Sequence, residues 1–297
     1  MTAELRHLRA FVAITDEGNI TRAAARLHLT QPALSRTLQQ LEAHLGVRLV
    51  ERSTHHLRLT AAGRAFGDRA RAAVAAVDDA LDPARAAAGQ LRLGHAWSAL
   101  GPHTTTVLRR WHRTHPDVPL ELLRVDDASA GLASGQVDVA VVRSPLDLPD
   151  VHLELLFTEP RTAVLAADHP LADRASLGLS DLARYDVAVN TVSGTTTLDL
   201  WPVGARPQRT IEVVNTDDWL AAIATGQAVG VSTTATAAMH PHPAVTYRPL
   251  TDVAPVEVHL AWRLPPTHRA VGELRDLVVA VVRASAGSKE GAEQLRP

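Results

Sequence analysis

Hydrophobic positions between residues 19 and 46 predict two short helices joined by a tight turn. Asn19 can cap the first helix, whose alanines would let the second helix cross close by. Thr30 can cap the second helix, Pro32 lies in its first turn, and Gly46 ends it. The second helix also carries four leucines at i, i+4, i+7 and i+11, which predict one buried stripe: Leu34, Leu38, Leu41 and Leu45.

The face of the second helix opposite the leucine stripe is polar. It is expected to present five side chains, two of them glutamines and one an arginine: Pro32, Ser35, Arg36, Gln39 and Gln40. Arginine and glutamine pair with guanine and adenine edges in a DNA major groove. The pattern favours a helix-turn-helix that reads DNA, although an ordinary helical hairpin with a solvated polar face shows the same spacing.

The flanking segments favour DNA binding over the ordinary hairpin. Residues 47–52 and 57–60 predict two short strands joined by a turn, as in a wing. Arg48, Arg52 and Arg58 on this wing would reach phosphates or a minor groove. An earlier helix is predicted by one apolar face: Leu5, Leu8, Phe11, Val12 and Thr15.

Charge is distributed unevenly along the chain. Residues 1–66 hold nine arginines and five acidic residues, a net charge of +4, whereas the whole chain carries −2 and the remainder −6. Positive charge is therefore concentrated where a polyanion would dock.

A long helix is predicted between residues 60 and 88, where alanine and arginine predominate. Its apolar positions follow one narrow seam: Phe66, Ala70, Ala73, Val77 and Leu81. Such a seam favours a coiled-coil dimer. The alternative is a surface helix packed on its own domain. Asp82 and Pro83 are expected to end or kink the helix, and Gly89 to begin the next domain.

Strand and helix patterns alternate from residue 90 onward, which predicts an α/β fold with parallel sheets. The expected strands are 90–95, 120–125, 137–142, 162–167, 187–190, 211–214, 229–232, 246–250 and 256–263. The expected helices are 104–115, 128–134, 195–201, 217–226 (capped by Thr216) and 269–284.

Hydroxyl-bearing loops follow three of these strands, and ligands of α/β sheets bind at such strand ends. The candidate effector contacts are Ser98, Ser144, Ser193 and Thr195, with Trp97 as a stacking wall. Free N–H groups and helix dipoles there would favour an anion. The alternative is that the hydroxyls are helix caps and Trp97 belongs to the core.

Several classes of site are excluded or disfavoured. The chain has no cysteine, so disulfides and thiolate zinc sites are excluded. The 15 histidines show no metal-binding spacing, and no catalytic or phosphate-binding motif occurs, so we expect no metal, no cofactor and no enzyme. No apolar run reaches about 18 residues and no signal peptide is evident, so we expect a cytoplasmic protein without a membrane span.

Residues 4–65 resemble the N-terminal signature of LysR-type transcriptional regulators without a gap. The matching positions are Leu8, Phe11, Ala23-Ala24, Leu27, Gln31-Pro32-Ala33-Leu34-Ser35, Leu41-Glu42, Leu45-Gly46, Leu49, Arg52, Leu59-Thr60 and Ala62-Gly63. Asn19 and Val50 depart from the family's usual Ser and Phe. We expect eight side chains to contact DNA: Thr21, Gln31, Pro32, Ser35, Arg36, Gln39, Arg52 and Arg58.

The rest of the chain resembles the two-lobed effector domain of the same family, which is like a periplasmic solute-binding protein. The resembling positions are Gly135-x-x-Asp138, His169-Pro170-Leu171, Asp181-Leu182 and Gly226 to Val231, whereas Ser232-Thr233-Thr234 departs from the family's usual proline. The expected domains are a winged helix-turn-helix DNA-binding domain over 1–59, a linker and dimerisation helix over 60–88, and an effector-binding domain over 89–297. Its lobe I is expected at about 89–160 and 265–297, and its lobe II at about 161–264.

The resemblance implies a sequence-specific transcriptional regulator whose C-terminal domain senses a small, anionic metabolite of unknown identity. The implied partners are double-stranded DNA with an interrupted inverted-repeat operator, a second copy in a homodimer and then a homotetramer, and RNA polymerase as a further candidate. The alternative is a metabolite-binding or catalytic α/β protein with an accessory helical domain, which would leave Arg36, Gln39 and the wing without a role.

Overall fold

The computed structural model describes residues 3–52, 57–81 and 89–293, and the principal boundary between its two units falls between residues 88 and 89. We call residues up to 88 the N-terminal unit and residues from 89 the C-terminal unit. Within the described ranges, no helix is both long and apolar enough to cross a membrane.

The described residues of the N-terminal unit form four helices and a two-stranded ribbon. The elements are α1 (Leu5–Glu17), α2 (Ile20–Arg26), α3 (Gln31–Leu45), β1 (Val50–Arg52), β2 (Leu57–Leu59) and α4 (Ala61–Leu81). The predicted caps are confirmed. The Asn19 side chain accepts from the backbone N–H groups of Thr21 and Arg22, the Thr30 hydroxyl accepts from Ala33 N–H, and Gly46 ends α3 at φ 70°. The ribbon is antiparallel, and its connecting turn at 53–56 lies outside the described residues.

A small core holds these helices together. It combines the leucine stripe with residues of α1 and α2, and its most buried large side chains are Phe11, Ile14, Leu34, Leu38, Leu41 and Leu49. Full burial of each such side chain stabilises the fold by about 1.5–3 kcal/mol. Leu45 does not belong to it, because 36% of its surface is exposed at the end of α3.

The seam predicted on the long helix is divided, and this corrects its interpretation. Phe66 packs on Phe11, with ring centroids 5.3 Å apart, and Ala70 is fully buried in the same core. The first part of α4 is therefore a surface helix packed on its own unit. Ala73 and Leu81 are exposed farther along. The predicted break at Asp82 and Pro83 lies outside the described residues.

Two five-stranded sheets form the C-terminal unit. The strands are β3 (Leu91–His95), β4 (Leu120–Arg124), β5 (Val139–Val142), β6 (Val151–Glu159), β7 (Arg161–Ala166), β8 (Val187–Asn190), β9 (Thr210–Val213), β10 (Val229–Thr233), β11 (Val245–Pro249) and β12 (Val256–Arg263). The α-helices are α5 (Thr104–Thr114), α6 (Leu179–Leu182), α7 (Thr216–Ala224), α8 (Thr234–Met239) and α9 (Val271–Glu293).

The first sheet has the order β4-β3-β5-β12-β6 and the second β11-β7-β10-β8-β9. We call them, with their helices, lobe I and lobe II. The sequence predicts parallel sheets, but both sheets are mixed. Strand β12 runs antiparallel to β5 and β6, and β7 runs antiparallel to β10 and β11. The chain passes between the lobes at Pro160 and again between β11 and β12. Since β12 belongs to lobe I, the return lies near residue 255 and not at the expected residue 265.

Several predicted elements of the C-terminal unit were wrong. Residues 128–134 form turns instead of a helix, because Ala130 and Gly131 adopt left-handed backbone angles of 50° and 88°. The helix expected at 195–201 is reduced to one 3-10 turn at Leu198–Leu200. Strand β6 and helix α8 were not predicted. Helix α7 is capped by the Asn215 side chain and not by Thr216.

Candidate functional site

The polar face of α3 is open. Arg36 and Gln39 are exposed, and they line one shallow surface groove with Gln40, Ala43 and His44. Among the described residues, no side chain forms an ion pair or hydrogen bond with the Arg36 guanidinium. In the same described ranges, the Gln39 amide has no hydrogen-bond partner either. A guanidinium and an amide one helical turn apart have the geometry needed to pair with base edges.

The other predicted DNA contacts around α3 are placed unequally. Thr21, Gln31 and Pro32 are exposed at the first turns of α2 and α3. Ser35 differs, because its Oγ is buried and has no hydrogen-bond partner among the described atoms. The Ser35 hydroxyl could reach a ligand outside the protein only after its side chain rotates.

The wing is fastened to α3 by Glu42. The Glu42 Oε1 accepts the backbone N–H groups of Leu49 at 2.8 Å and Val50 at 3.1 Å, so α3 and β1 are held in fixed register. Exposed Arg58 lies opposite Glu51 in the ribbon. The side chain of Arg52, another predicted contact, lies outside the described residues. Glu42 was not identified from the sequence as a positioning residue.

In the C-terminal unit, the loop after β3 belongs to lobe I and contacts lobe II. Trp97 donates its indole N–H to the Ser193 carbonyl of lobe II at 2.9 Å. Ser98 and Ala99 both have left-handed φ angles, 53° and 38°, which are strained for residues with a Cβ atom. Ser98 is buried, and its Oγ has no hydrogen-bond partner among the described atoms. Backbone strain and an unsatisfied hydroxyl together are typical of a functional loop.

A buried ion pair lies beside this loop. Arg143 donates to both carboxylate oxygens of Glu159, at 3.0 and 2.8 Å, and both side chains are only 4% exposed. The same guanidinium donates to the carbonyls of Trp97 and Ala99 and lies 4.5 Å from the centre of the Trp97 ring. Thr233 of lobe II completes the network by donating to Glu159 at 2.7 Å. The pair therefore fixes the Trp97 loop at the place where the chain passes between the lobes.

Arg161 begins the second sheet directly after this crossing. Its guanidinium donates to the carbonyls of Thr195 and Ala254, each at 3.1 Å, and Nη1 lies 3.5 Å from the Thr195 hydroxyl. Burial lowers the pKa of Arg161 below its usual value. Neither Glu159 nor Arg161 was predicted as a site residue, because the strand pairing that brings them to the cleft is not visible in the local sequence.

The main pocket of the C-terminal unit opens between the lobes; its enclosed part is only about 30 Å³, and its empty space reaches about 370 Å³ when the solvent-filled mouth is included. Its lining residues are Trp97, Asn190, Gly194, Thr195, Thr196, Thr216, Trp219, Val231, Ser232 and Thr236. A second, smaller pocket also has Trp97 in its lining, together with Ser144 and Ser193. The predicted contacts are thus divided between two cavities that share Trp97, while Ser98 lines neither.

Backbone N–H groups of the loop after β8 donate hydrogen bonds within the loop itself. Asn190 Oδ1 accepts from Val192 and Ser193 at 3.0 and 3.1 Å, and the Asn190 carbonyl accepts from Gly194 at 3.2 Å. Gly194 is required here, since a Cβ atom would lie 2.3 Å from the Asn190 oxygen. The sequence could indicate a polar loop at this strand end, but not that its donors are already occupied.

A group of charged and histidine side chains lies near the ends of β3 and β4. Arg124 of lobe I forms an ion pair with Asp217 of lobe II at 3.2 Å. Burial, reinforced by the positive charge of Arg124, lowers the pKa of His95 to about 4. Burial also lowers the pKa of His240, and its Nε2 and the Nδ1 of His95 are buried with no hydrogen-bond partner among the described atoms. Both rings are therefore neutral at pH 7.

Comparison with known proteins supports one assignment for both units. The model described as LysR substrate binding domain matches residues 84–283, and the model of bacterial regulatory helix-turn-helix proteins of the lysR family matches residues 5–64. The chain is 34% identical over 248 residues to the HTH-type transcriptional regulator ShiR of Corynebacterium glutamicum (strain R), an alignment that covers 78% of this chain and 82% of ShiR.

Two further relatives align over shorter stretches. The chain is 37% identical over 193 residues to the regulator YnfL of Escherichia coli (strain K12), covering 62% of this chain, and 31% identical over 205 residues to AlsR of Bacillus subtilis (strain 168), covering 67%. These alignments span 64% and 66% of the two relatives, just under two thirds of their own length. The crystal structure of full-length BenM matches with a TM-score of 0.56 at 25% identity, covering 96% of this chain and 98% of BenM. The chain belongs to the LysR family of bacterial helix-turn-helix regulatory proteins.

Proposed function

We propose that the chain is a sequence-specific DNA-binding transcriptional regulator whose C-terminal unit senses a small metabolite. The observation that carries this proposal is the open Arg36 and Gln39 face of α3, set beside a two-stranded wing in a chain of the LysR family. The burial of the leucine stripe orients that face outward, and Glu42 holds the wing in register with it. Arg36 and Gln39 would read bases, while Arg48 and Arg58 would contact phosphates.

Three consecutive segments of the chain would have different roles. Residues 1–59 would bind DNA, and residues from 89 onward would bind the effector. Residues 60–88 would link them and pair two copies through Ala73, Val77 and Leu81, the positions of the seam that follow its buried part. A two-fold pair of reading helices requires an interrupted inverted repeat as operator. Assembly to a tetramer and contact with RNA polymerase extend the proposal by family resemblance.

The cleft between the lobes would be the sensor. The Trp97 contact with Ser193, the Thr233 contact with Glu159 and the Arg124–Asp217 ion pair all join lobe I to lobe II. A ligand that binds one arrangement of the lobes better than another would shift the population between them. The shift is limited to the ligand's differential affinity for the two states, typically about 1–3 kcal/mol.

A gel-shift titration of the full chain on the upstream region of its own gene tests the DNA-binding part. We expect saturable binding that survives an excess of unrelated competitor DNA. The Arg36→Ala/Gln39→Ala variant should lose this preference. Arg113→Ala, which removes an exposed arginine of the C-terminal unit, should not. Equal competition by upstream and unrelated DNA for the wild-type chain would refute the proposal.

A further inference from the structure

We infer that the main pocket takes a small uncharged molecule, with a planar apolar body and an amide or hydroxyl group, and not the anion that the sequence favours. The inference rests on the proposed function of the cleft and specifies the chemical class of its ligand. It depends on three observations. The side chains that line the pocket are neutral, the nearby arginines and several backbone N–H groups already have hydrogen-bond partners within the protein, and Trp219 forms a rigid apolar wall.

Among the residues that the structure describes, none that lines the pocket has an ionisable side chain. Trp97, Trp219 and Val231 supply apolar surface, and the remaining side chains at the pocket are hydroxyls and one amide. An anion moved from water into such surroundings loses hydration, and only hydrogen bonds to neutral groups would replace it. A neutral molecule of the same shape avoids most of that cost.

The nearby cations are already engaged. Arg143 is paired with Glu159 at 2.8 Å, so its charge is neutralised beside Trp97. Arg161 is directed to the main-chain carbonyls of Thr195 and Ala254 and does not line the pocket. Neither guanidinium is free to form the bidentate pair with which arginine recognises a carboxylate.

Three backbone donors of the loop after β8 are also engaged. The N–H groups of Val192, Ser193 and Gly194 bond within their own loop. At the start of α7, which contributes Thr216 and Trp219 to the pocket, the first turn contains Asp217 and Asp218. The Asp218 carboxylate opposes the attraction of the helix dipole for a negative ligand, whereas the charge of Asp217 is offset by its ion pair with Arg124.

The same surroundings suit a neutral ligand. Trp219 is fixed by a bond from its indole N–H to the Ala188 carbonyl at 2.9 Å, and it packs against Gly230, where a Cβ atom would lie 2.3 Å from the ring. This gives a rigid apolar wall for a planar group. The hydroxyls of Ser232 and Thr236 share one hydrogen bond of 2.7 Å, which leaves donor and acceptor capacity for an amide or hydroxyl.

Paired probes test the ligand class. We would titrate the full chain with benzamide, benzoate, 4-hydroxybenzamide and 4-hydroxybenzoate at pH 7, and follow intrinsic tryptophan fluorescence and the melting temperature. Each amide is nearly isosteric with its acid, so the comparison isolates the charge. We expect the dissociation constant of each amide to be at least about tenfold lower than that of its acid, a difference of roughly 1.4 kcal/mol or more in binding free energy.

A matched pair of variants assigns the preference to this pocket. Thr195→Lys places a cation at the pocket wall and should shift the preference toward the acids by about tenfold, whereas Thr195→Gln has a similar length without charge and should still prefer the amides. Acids that bind the wild-type chain as tightly as amides, identical behaviour of the two variants, or no response to any probe would each overturn the inference. DNA binding by the wild-type chain is measured separately, so failure of this inference is distinguishable from failure of the proposed function.

Discussion

The polar face of α3 and the cleft of the C-terminal unit use polar side chains in opposite ways. On α3, Arg36 and Gln39 point into solvent and rest on a core of leucines. In the cleft, Arg143 and Glu159 are almost completely buried and satisfy one another. The first surface offers its hydrogen-bonding capacity to a partner, whereas the second uses most of that capacity internally.

This difference indicates which substitutions affect stability and which affect binding. A side chain that is exposed and unpaired can be removed with little effect on the free energy of unfolding, since nothing buried loses its partner. A member of a buried ion pair cannot, because the remaining charge stays desolvated.

Removing Arg143 should have the largest effect on stability. Arg143→Ala leaves the Glu159 carboxylate buried without its cation, so we expect the free energy of unfolding to fall by about 3–5 kcal/mol. Arg36→Ala should change it by no more than about 0.5 kcal/mol. Urea denaturation followed by circular dichroism measures both. In Arg143→Met/Glu159→Gln, where no charge remains, much of the loss should be recovered; an equal loss in the single and double variants would show that the ion pair is not the cause.

Three positions on α4 distinguish packing within the unit from assembly of two copies. Ala70 is buried in the core of the N-terminal unit, so Ala70→Asp should unfold that unit, at a cost of about 3 kcal/mol. Ala73→Asp/Val77→Asp should leave the fold intact and yield monomers, because these positions would meet the second copy. Sedimentation velocity and circular dichroism distinguish the two results. A folded Ala73→Asp/Val77→Asp dimer would contradict the proposed pairing.

Base discrimination should depend on the two exposed side chains of α3. Arg36→Ala and Gln39→Ala should each lower the preference for the operator over base-substituted variants by about 1–3 kcal/mol. Arg52→Ala should instead weaken binding to all sequences alike and reduce the salt slope by about one unit. Fluorescence-anisotropy titrations at several salt concentrations measure both quantities. Unchanged discrimination in both α3 variants would show that another surface reads the bases.

Acid should weaken the C-terminal unit through His95. The folded-state pKa of His95, about 4, lies below the ordinary value of 6.5, so the unfolded chain binds the proton more readily. The contribution of neutral His95 to the free energy of unfolding is complete above pH 6.5 and is lost as the pH falls from 6.5 toward 4. Allowing for the partial exposure of the ring, we expect a loss of about 1–2 kcal/mol. His95→Gln should lose correspondingly less between pH 7.5 and 5 in urea titrations, whereas equal losses would exclude His95 as the source.

The sequence was a good guide to the N-terminal unit because its signals are local. The caps at Asn19 and Thr30, the end of α3 at Gly46 and the outward direction of Arg36 all depend on residues within a few positions of one another. Local signals failed where tertiary packing decided the outcome. The burial of Phe66 against Phe11, for example, cannot be inferred from the helical spacing of α4 alone.

The cleft was harder to predict because its residues meet only after the sheets form. Thr233 and Glu159 are 74 positions apart, and Arg143 and Glu159 share the cleft only once β5, β12 and β6 are paired. Trp97 and Thr195, which the sequence predicts as effector contacts, both line the main pocket, and such hydroxyls and aromatics at strand ends can be recognised locally. An anionic effector was predicted because the N–H groups of these loops were expected to be free. The Asn190 side chain, however, accepts hydrogen bonds from two of them, those of Val192 and Ser193.

Selection of DNA from a random pool by the full-length chain tests the central claim most directly, because it requires no knowledge of the operator. After several rounds at physiological salt, we predict enrichment of one interrupted inverted repeat, and loss of that enrichment when Arg36→Ala/Gln39→Ala replaces the wild-type chain. A DNA pool that remains random after selection by the wild-type chain, or an enriched motif that the double variant still selects, would contradict the account.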